Sequence, residues 1–378
     1  MMIKKDFPGG NIKVNRIEGD CVYLEQEIRD TGEWWFYWNF CACGMEGRTI
    51  SFFFENGDVV GIYGPCKSTD RINWEWAGAK TLRGNNCFVY TFSETETEVY
   101  FSFSIPYQMA EFERYLEKHE SYPFETTTEI IAVSEKGRSV PVLRVGNNKS
   151  ENNIYFTARH HSCESTASYV LEGAIDFLCR NGEELLENYM FHVVPFVDLD
   201  GVEEGDQGKS RIPHDHYRDY SESPIYNITK ELYSYVEKYP PYLYVDFHSP
   251  WKWGDGANEI YMVNSPSPDD KLENHFGEIW EDLTEQSKKG SKMPDDVITF
   301  HPIYNLKHGI GFNNEGRDAP LSTNFFHRKG AKLSVVIEFP YFGGSTVYRQ
   351  DNLRGLGVDF VKALDKLLNE LEEKSNEV

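Results

Sequence analysis

Hydrophobic and polar residues follow two different patterns along the chain. Up to about residue 105, short stretches rich in aromatic and β-branched residues are separated by turns, which is typical of an antiparallel β-sandwich. The dipeptide Asn56-Gly57 predicts a hairpin turn. The predicted strands of this part are Glu33–Ala42, Ser51–Glu55, Val59–Tyr63, Asn86–Phe92 and Glu98–Ile105.

After Pro106 the pattern changes to buried strands that alternate with amphipathic helices. The predicted strands are Glu129–Val133, Pro141–Val145, Ile154–Ala158, Met190–Val197, Tyr242–Phe247 and Leu333–Ile337. The predicted helices are Met109–His119, one that begins at Ser165, one from Ser223-Pro224 to Lys238, one around Leu272–Leu283, and Leu356–Leu371. This alternation predicts an α/β domain with a mixed, mostly parallel sheet and helices on both faces. We therefore predict a β-sandwich domain over residues 1–106 and an α/β domain over residues 107–378.

Candidate chemistry is concentrated where predicted strands end. The stretch 153–173 passes from a buried strand through a polar turn into a helix, and His161 and Glu164 lie in that turn. Ligands bind at the carboxyl ends of strands in open α/β sheets. The spacing His-x-x-Glu suits two ligands of one zinc ion. By itself the pair is weak evidence for a zinc site, because the same spacing is common on exposed helices.

Two further residues strengthen this interpretation. His248 and Glu338 each follow another buried strand, so they are expected at the same edge of the sheet. Two histidines and one carboxylate with an open fourth position form a catalytic zinc site. Glu338 would then act as a general base. Taken singly, His248 could be a core histidine and Glu338 could face solvent.

A long polar loop follows the strand Met190–Val197. Its arginines, Arg211 and Arg218, could hold a negative group or a developing oxyanion, although Arg218 could instead pair with Asp219. The run His214-Asp215-His216 is expected to hydrogen-bond around the ligands rather than to bind a second metal. His160, next to a predicted ligand, is expected to face away.

Composition narrows the class of protein. The 378 residues carry 38 Lys and Arg against 61 Asp and Glu, a net charge of −23 with no basic run, which argues against nucleic acid and anionic membranes as partners. Nowhere does the sequence show an apolar run long enough to predict a membrane span, and MMIKKDFPGG lacks the apolar core of a secretory signal. The seven cysteines lack metal-type spacing and are expected to be reduced thiols in a cytoplasmic protein.

Several motifs together resemble those of the zinc carboxypeptidase family and, within it, of the cytosolic carboxypeptidase branch. They are Arg159-His-His161-Ser-Cys-Glu164, Val197-Asp-Leu-Asp200-Gly201-Val202, Arg218 eighteen residues after Asp200, Asp246-Phe-His248-Ser249, and the strand-end Glu338. The aromatic run Trp34-Trp35-Phe36-Tyr37 and the exit at Pro106-Tyr107 resemble the leading domain of that branch.

The resemblance implies a carboxypeptidase-like fold and hydrolysis of a C-terminal peptide or isopeptide bond of a peptide or protein. It implies that one Zn²⁺ is held by His161, Glu164 and His248, with Glu338 as the base. Arg218 would bind the terminal carboxylate of the substrate. The scissile carbonyl would be polarised by Arg211 or, as a second candidate, by Lys209.

The sequence departs from the family at three points. Tyr217 stands where the family has the asparagine of an Asn-Arg pair, so its phenol would replace or lose one carboxylate contact. Ser162-Cys163 replaces Pro-Gly in the metal loop. The family's mobile tyrosine has no assigned counterpart. Tyr217 favours an alternative, a zinc amidohydrolase or deacylase that acts on small acyl-amino acids. A catalytically silent binding protein is a third hypothesis.

Overall fold

The N-terminal part of the protein consists of two β-sheets. The computed structural model describes residues 1–32, 35–118, 126–254, 257–263, 270–290, 316, 318–343 and 347–376. The strands of the N-terminal part are β1 (Met2–Lys4), β2 (Lys13–Glu18), β3 (Cys21–Glu25), β4 (Asn39–Cys43), β5 (Thr49–Phe54), β6 (Cys66–Ser68), β7 (Glu75–Trp76), β8 (Cys87–Thr91) and β9 (Glu98–Ser102). One sheet has the order β1-β4-β9-β6-β7 and the other β2-β3-β5-β8.

Phenylalanines from both sheets fill the space between them. The Phe52 ring of the second sheet lies 5.5 Å from the Phe40 and Phe101 rings of the first, and all three are fully buried. The two sheets therefore stack face to face, as predicted for a β-sandwich. One pairing departs from the antiparallel expectation, because β3 and β5 run parallel.

Two predicted strands of the sandwich are wrong in extent or existence. The aromatic strand is confined to Asn39–Cys43, and of its predicted start, Glu33 and Trp34 lie outside the described residues. The N–H groups of Phe36 and Tyr37 donate to the Gln207 side chain instead of to a strand. The hairpin partner Val59–Tyr63 forms no strand, since β5 pairs with β3 and β8.

The α/β part is built on a third sheet. Its described strands are β10 (Thr126–Val133), β11 (Ser139–Gly146), β12 (Asn153–Ala158), β13 (Met190–Val194), β14 (Pro241–His248), β15 (Tyr261–Val263) and β16 (Leu333–Glu338), in the order β10-β11-β13-β12-β14-β16-β15. The four central strands β13, β12, β14 and β16 are parallel, and the flanking pairs are antiparallel. The predicted mixed sheet with a parallel centre is confirmed.

Helices cover both faces of this sheet. The described α-helices are α1 (Met109–Lys118), α2 (Ser165–Asn181), α3 (Glu183–Asn188), α4 (Leu199–Glu204), α5 (Asn227–Lys238), α6 (Asp270–Gly290), α7 (Ser322–Arg328) and α8 (Gln350–Asn376). Tyr155 and Phe156 are adjacent in β12 and point to opposite faces. Tyr155 contacts Phe326 of α7, and Phe156 contacts Phe360 of α8.

Two predicted helix ends need comment. The helix expected from Ser223 begins only at Asn227, because the Asp219 carboxylate accepts hydrogen bonds from the N–H groups of Ile225 and Tyr226 and holds this segment as a loop. His119, the predicted end of the first helix, lies outside the described residues. Among the described helices, none has the length and apolar character needed to cross a membrane.

Loops at the carboxyl ends of the central strands pack into the sandwich. Trp251, Tyr341 and Phe342 join its hydrophobic core, and the Phe36 ring lies 5.1 Å from that of Trp251 and 5.9 Å from that of Tyr341. The sandwich therefore covers the edge of the sheet where the candidate residues were predicted. The domain boundary at residue 106 stays a prediction.

Candidate metal and active site

Neighbouring parallel strands carry the candidate residues to one edge of the sheet. In the register of β14 and β16, His248 lies directly opposite Glu338. On the other side of β14, Ala158 at the end of β12 lies opposite Phe247. The turn that holds His161 and Glu164 starts there, so all four residues meet at the same place.

Arg159 shapes this turn. Its backbone has a positive φ of 62°, and its buried guanidinium donates to the carbonyl oxygens of Ser162 (3.0 Å) and Tyr107 (2.8 Å). Gly208 passes so close that a Cβ there would lie 2.5 Å from the Ser162 nitrogen. The turn is therefore fixed from inside by an arginine and from outside by the polar loop.

His161, Glu164 and His248 converge on a common point. The Nδ1 atom of His161 lies 2.9 Å from Oε1 of Glu164, and Nδ1 of His248 lies 3.0 Å from Oε2 of the same carboxylate. The ligand atoms of the three residues all lie within 4.8 Å of one another. Two imidazole nitrogens and a carboxylate form the donor set of a catalytic zinc site, so the residues present fit the ion that the sequence implies.

Each of the two histidines also faces a second carboxylate with its other nitrogen. His248 Nε2 lies 2.9 Å from Asp246, and His161 Nε2 lies 3.5 Å from Asp215. Such outer carboxylates fix the orientation of metal-binding imidazoles and raise their basicity. The supporting role of Asp215 was expected from the sequence, whereas that of Asp246 was not, although Asp246 precedes His248 by two residues and therefore shares its face of the strand.

His160 does not face away as expected. It lies behind His248, with Nδ1 2.9 Å from Asp246 Oδ1 and Nε2 2.8 Å from the Tyr220 hydroxyl. The group His160, Asp246 and His248 is also compact enough to hold an ion. Because both His160 nitrogens are already engaged within the core, the first group is the better candidate.

The electrostatics of the site follow from its opposite charges. Burial alone raises the pKa of Glu164, but Lys209, His248 and His161 outweigh it and bring that pKa well below its ordinary value. Burial alone lowers the pKa of His248, but Asp246 and Glu164 outweigh it and raise it well above the ordinary value. Metal binding at such a site releases protons, because the bound cation takes over the positive charge that the protons supplied.

Glu338 differs from the other carboxylates of the site. Its buried Oε2 atom has no hydrogen-bond partner among the described residues. Burial, opposed by Lys209 and reinforced by Glu164, raises its pKa. A buried carboxylate with a raised pKa and a free oxygen is suited to accept a proton.

A cavity of about 140 Å³ opens beside this cluster. The described residues that line it include His161, Lys209, Tyr217, Arg218, His248, Trp251, Val263, Val336 and Glu338. Arg218 Nη1 lies 2.9 Å from Asp215, not Asp219, and about a third of the Arg218 side chain is exposed. The Tyr217 ring packs edge-on against His248, with its hydroxyl 3.3 Å from Thr323 Oγ1.

Lys209 and Arg211 occupy very different positions. The Lys209 ammonium donates to Glu164 and, at 2.9 Å, to the Ser249 carbonyl. Burial alone lowers its pKa, but Glu164 and Glu338 raise it overall. The Arg211 guanidinium lies 2.6 Å from Asp30, 2.6 Å from Asp198 and 3.0 Å from Asp206. Arg211 is absent from the described lining of the cavity. The geometry favours Lys209, the reverse of the expected order.

The run His214-Asp215-His216 forms hydrogen bonds around the site. Asp215 lies between His161 and Arg218, and His216 Nδ1 lies 3.3 Å from Arg211 Nη1. His214 Nε2 lies 2.7 Å from Asp219. These contacts match the supporting role that was expected for the run.

The proteins that this chain is similar to in sequence include several carboxypeptidases. A family model described as zinc carboxypeptidase matches residues 112–219. Cytosolic carboxypeptidase 6 of Caenorhabditis elegans is 26% identical over 290 residues, which cover 66% of this chain and 62% of the relative. Cytosolic carboxypeptidase 1 of Xenopus laevis is 26% identical over 187 residues, 43% of this chain and 15% of the relative. The chain thus spans less than two thirds of either relative.

Solved structures extend the similarity to nearly the whole chain. A metallo-carboxypeptidase from Burkholderia cenocepacia superposes with a TM-score of 0.79 at 17% identity and covers 98% of this chain and 99% of its own. A metallo-carboxypeptidase from Pseudomonas aeruginosa, solved in complex with (2-guanidinoethylmercapto)succinic acid, superposes with a TM-score of 0.77 at 20% identity. The superposition covers 98% of this chain and 100% of that one. At these identities the likeness shows the fold, so the expected carboxypeptidase-like architecture with a leading β domain is confirmed. Residues 112–219 match the zinc carboxypeptidase family model and the cytosolic carboxypeptidases are distant relatives, so the chain is similar to this family of peptidases.

Proposed function

We propose that this protein is a zinc-dependent metallocarboxypeptidase that hydrolyses a C-terminal peptide or isopeptide bond. One observation carries the proposal. Three zinc-type donors converge beside a buried glutamate with a free oxygen, in a cavity that also contains an ammonium and a guanidinium. This combination supplies a metal position, a base and two positive groups for substrate.

His161, Glu164 and His248 would hold one Zn²⁺. When bound, zinc lowers the pKa of a water molecule and polarises a carbonyl group. Asp246 and Asp215 keep the two imidazole rings turned so that their Nδ1 atoms face the common point.

Glu338 would move the proton. Its free Oε2 takes the proton of the attacking water and delivers it to the nitrogen of the leaving amine. Lys209 lies beside the ligand set with a raised pKa, so it carries a positive charge that opposes the negative charge developing on the carbonyl oxygen.

Arg218 would bind the terminal carboxylate of the substrate. It lines the cavity, is partly exposed, and is held in place by Asp215. We expect Arg218→Ala to raise KM about tenfold or more for peptides with a free C-terminus and to change kcat less. An unchanged preference for free over amidated peptides in this variant would place the carboxylate contact elsewhere.

The walls of the cavity support a preference for an apolar C-terminal residue. Val336 precedes Glu338 by two residues and shares its face of β16, and Val263 of β15 lies directly opposite Val336. Both valines line the cavity with Trp251. Both described cations that line the cavity already have a role in this proposal, Lys209 at the carbonyl oxygen and Arg218 at the terminal carboxylate. An aliphatic or aromatic side chain therefore fits this space better than an acidic one.

The seven cysteines are all free in the structure, which supports a cytoplasmic location together with the names of the cytosolic relatives. Fractionation of the native source tests this location.

Mass spectrometry of paired peptides tests the activity. The zinc-loaded protein is incubated with peptides that end in leucine, phenylalanine or glutamate and with their amidated twins. Stepwise loss of single residues from the free peptides alone, fastest for leucine and phenylalanine, supports the proposal. If zinc is bound and neither set is shortened, the amidohydrolase hypothesis takes precedence, and small acyl-amino acids become the substrates to test.

A further inference from the structure

Lys209 lies in a loop, and the N-terminal sandwich contacts this loop along most of the loop's length. This loop, residues 203–212, runs from the end of α4 past the metal-ligand turn. At its start, Gly9 N donates to the Glu203 carbonyl at 2.8 Å, and the Asn11 side chain donates to the Gly205 carbonyl at 2.9 Å. Two separate points of the sandwich therefore hold the beginning of the loop.

Arg29 holds the next part of the loop. Its Nη1 atom donates to the Glu204 carbonyl at 2.6 Å and lies 2.5 Å from Asp206 Oδ1. The other oxygen of Asp206 pairs with Arg211. One carboxylate of the loop thus connects an arginine of the sandwich to the arginine that follows Lys209 by two residues.

Gln207 connects the sandwich directly to the metal-ligand turn. Its buried side-chain oxygen accepts hydrogen bonds from Phe36 N (2.6 Å) and Tyr37 N (3.3 Å). Its backbone carbonyl accepts from Cys163 N at 3.1 Å, next to Glu164. Displacement of the loop would therefore break contacts with both the sandwich and the turn.

The chain on the far side of Lys209 is held by a short β-bridge. Gly32 N donates to the Ser210 carbonyl at 3.0 Å, and Ile212 N donates to the Asp30 carbonyl at 2.8 Å. The Asp30 carboxylate lies 2.6 Å from Arg211 Nε. Lys209 is thus bracketed by sandwich contacts at residues 207 and 210.

These contacts have a consequence for catalysis. A lysine side chain has many rotamers, and placing its ammonium under Glu164 requires that its backbone be fixed. We propose that the N-terminal sandwich is a working part of the active site, in which Arg29 and Asp30 are positioning residues that fix the loop and so place the Lys209 ammonium. This inference rests on the proposed function, in which Lys209 stabilises developing negative charge.

The test compares two double variants of the sandwich in the full chain. Arg29→Ala/Asp30→Ala removes the side-chain contacts of Arg29 with Glu204 and Asp206 and of Asp30 with Arg211, while the backbone contacts to the loop remain. The two side chains are 32% and 40% exposed, so the fold is expected to survive. The control, Arg48→Ala/Asp20→Ala, removes an exposed pair of the same residue types in which Arg48 pairs with Asp20 of the sandwich instead of with the loop. We expect kcat to fall about tenfold in the first variant with KM changed less than twofold, and both to be unchanged in the control. If the first variant does not fold, as judged by circular dichroism, Asp30→Asn replaces it.

A second background separates positioning from general stability. In Lys209→Ala protein, the Arg29→Ala/Asp30→Ala change is expected to cost little further activity, because both changes act through the same ammonium. Equal kcat in the two double variants would overturn the inference, and so would a tenfold loss that recurs in full without Lys209. An unmodified protein that cleaves no peptide would overturn the proposed function itself, and with it the premise of this inference.

Discussion

Two buried histidines of the central sheet have opposite surroundings. His248 ends β14 between Glu164 and Asp246, whereas His192 lies in β13, with Nδ1 2.9 Å from the Tyr235 hydroxyl and Nε2 2.9 Å from the Asn153 amide oxygen. Both are buried. Their pKa values nevertheless move in opposite directions.

The difference lies in the charge of the partners. Burial, with Arg144 adding to it, lowers the pKa of His192 to about 3, because neutral partners do not compensate for the lost hydration. Around His248 the carboxylates outweigh burial and raise the pKa. The carboxylates around His248 therefore suit it to bind a cation, whereas His192, which lacks them, is a neutral core residue.

The largest expected effect contrasts these two histidines. His248→Gln should lower zinc affinity at least about 100-fold and abolish peptide turnover, because one of three ligands is lost. His192→Gln should keep zinc and turnover. Metal content after dialysis and the rate of peptide cleavage measure both. Zinc retained in the first variant, or lost in the second, would remove the basis of the comparison.

Glu338→Gln is expected to have the next largest effect. The base is lost while the ligands remain, so kcat should fall about 10²- to 10⁴-fold at unchanged zinc content. Glu172→Gln is the matched control, since Glu172 is also buried with a pKa raised by burial but contacts Tyr107 and Arg354 instead. Substantial activity in Glu338→Gln would assign the base elsewhere.

Asp246→Asn should have a smaller effect on the metal. The outer carboxylate that orients His248 becomes a neutral amide, so zinc affinity is expected to fall roughly 10- to 100-fold. A titration against a zinc chelator gives the two dissociation constants. If they are equal, the orientation of His248 does not depend on Asp246.

The smallest predicted effect concerns His192 and the pH dependence of stability. The folded-state pKa of His192 lies below its ordinary value of 6.5, so on acidification the unfolded chain takes up a proton that the folded protein does not. Stability contributed by neutral His192 is present above pH 6.5 and is lost toward pH 3, by about 1.4 kcal/mol per pH unit.

His192→Gln removes this contribution. Between pH 7 and pH 5 the free energy of unfolding of the variant should fall about 2 kcal/mol less than that of the unmodified protein. Urea denaturation at both pH values measures the difference. Equal losses would show that His192 does not stay neutral in the folded state.

The sequence predicts those residues of the site whose positions depend only on the local pattern of buried strands. His161, Glu164, His248 and Glu338 each follow a run of buried residues, and parallel strands bring such positions to one edge. The order of Lys209 and Arg211 could not be predicted in this way. Arg211 is neutralised by Asp30, which lies 181 residues earlier in the chain, and only the packing of the sandwich on the loop reveals this pair.

The same limit explains the errors in the sandwich. Asn56-Gly57 has the composition of a hairpin turn, yet Val60 N donates to the Asn85 carbonyl, and β5 takes its partners from β3 and β8. The N–H groups of Phe36 and Tyr37 donate to the side chain of Gln207, which lies 171 and 170 residues later in the chain. Partners distant in sequence decided these elements against local propensity.

The most direct test of the account follows zinc and turnover in one titration. Metal-free protein is supplied with increasing zinc, and cleavage of a peptide with a free C-terminus is measured together with bound metal. We expect turnover to rise in proportion to bound zinc up to one ion per chain. The His248→Gln variant should show neither turnover nor tightly bound zinc. Full turnover in metal-free protein, or one tightly bound zinc in His248→Gln, would contradict a catalytic zinc site built on His161, Glu164 and His248.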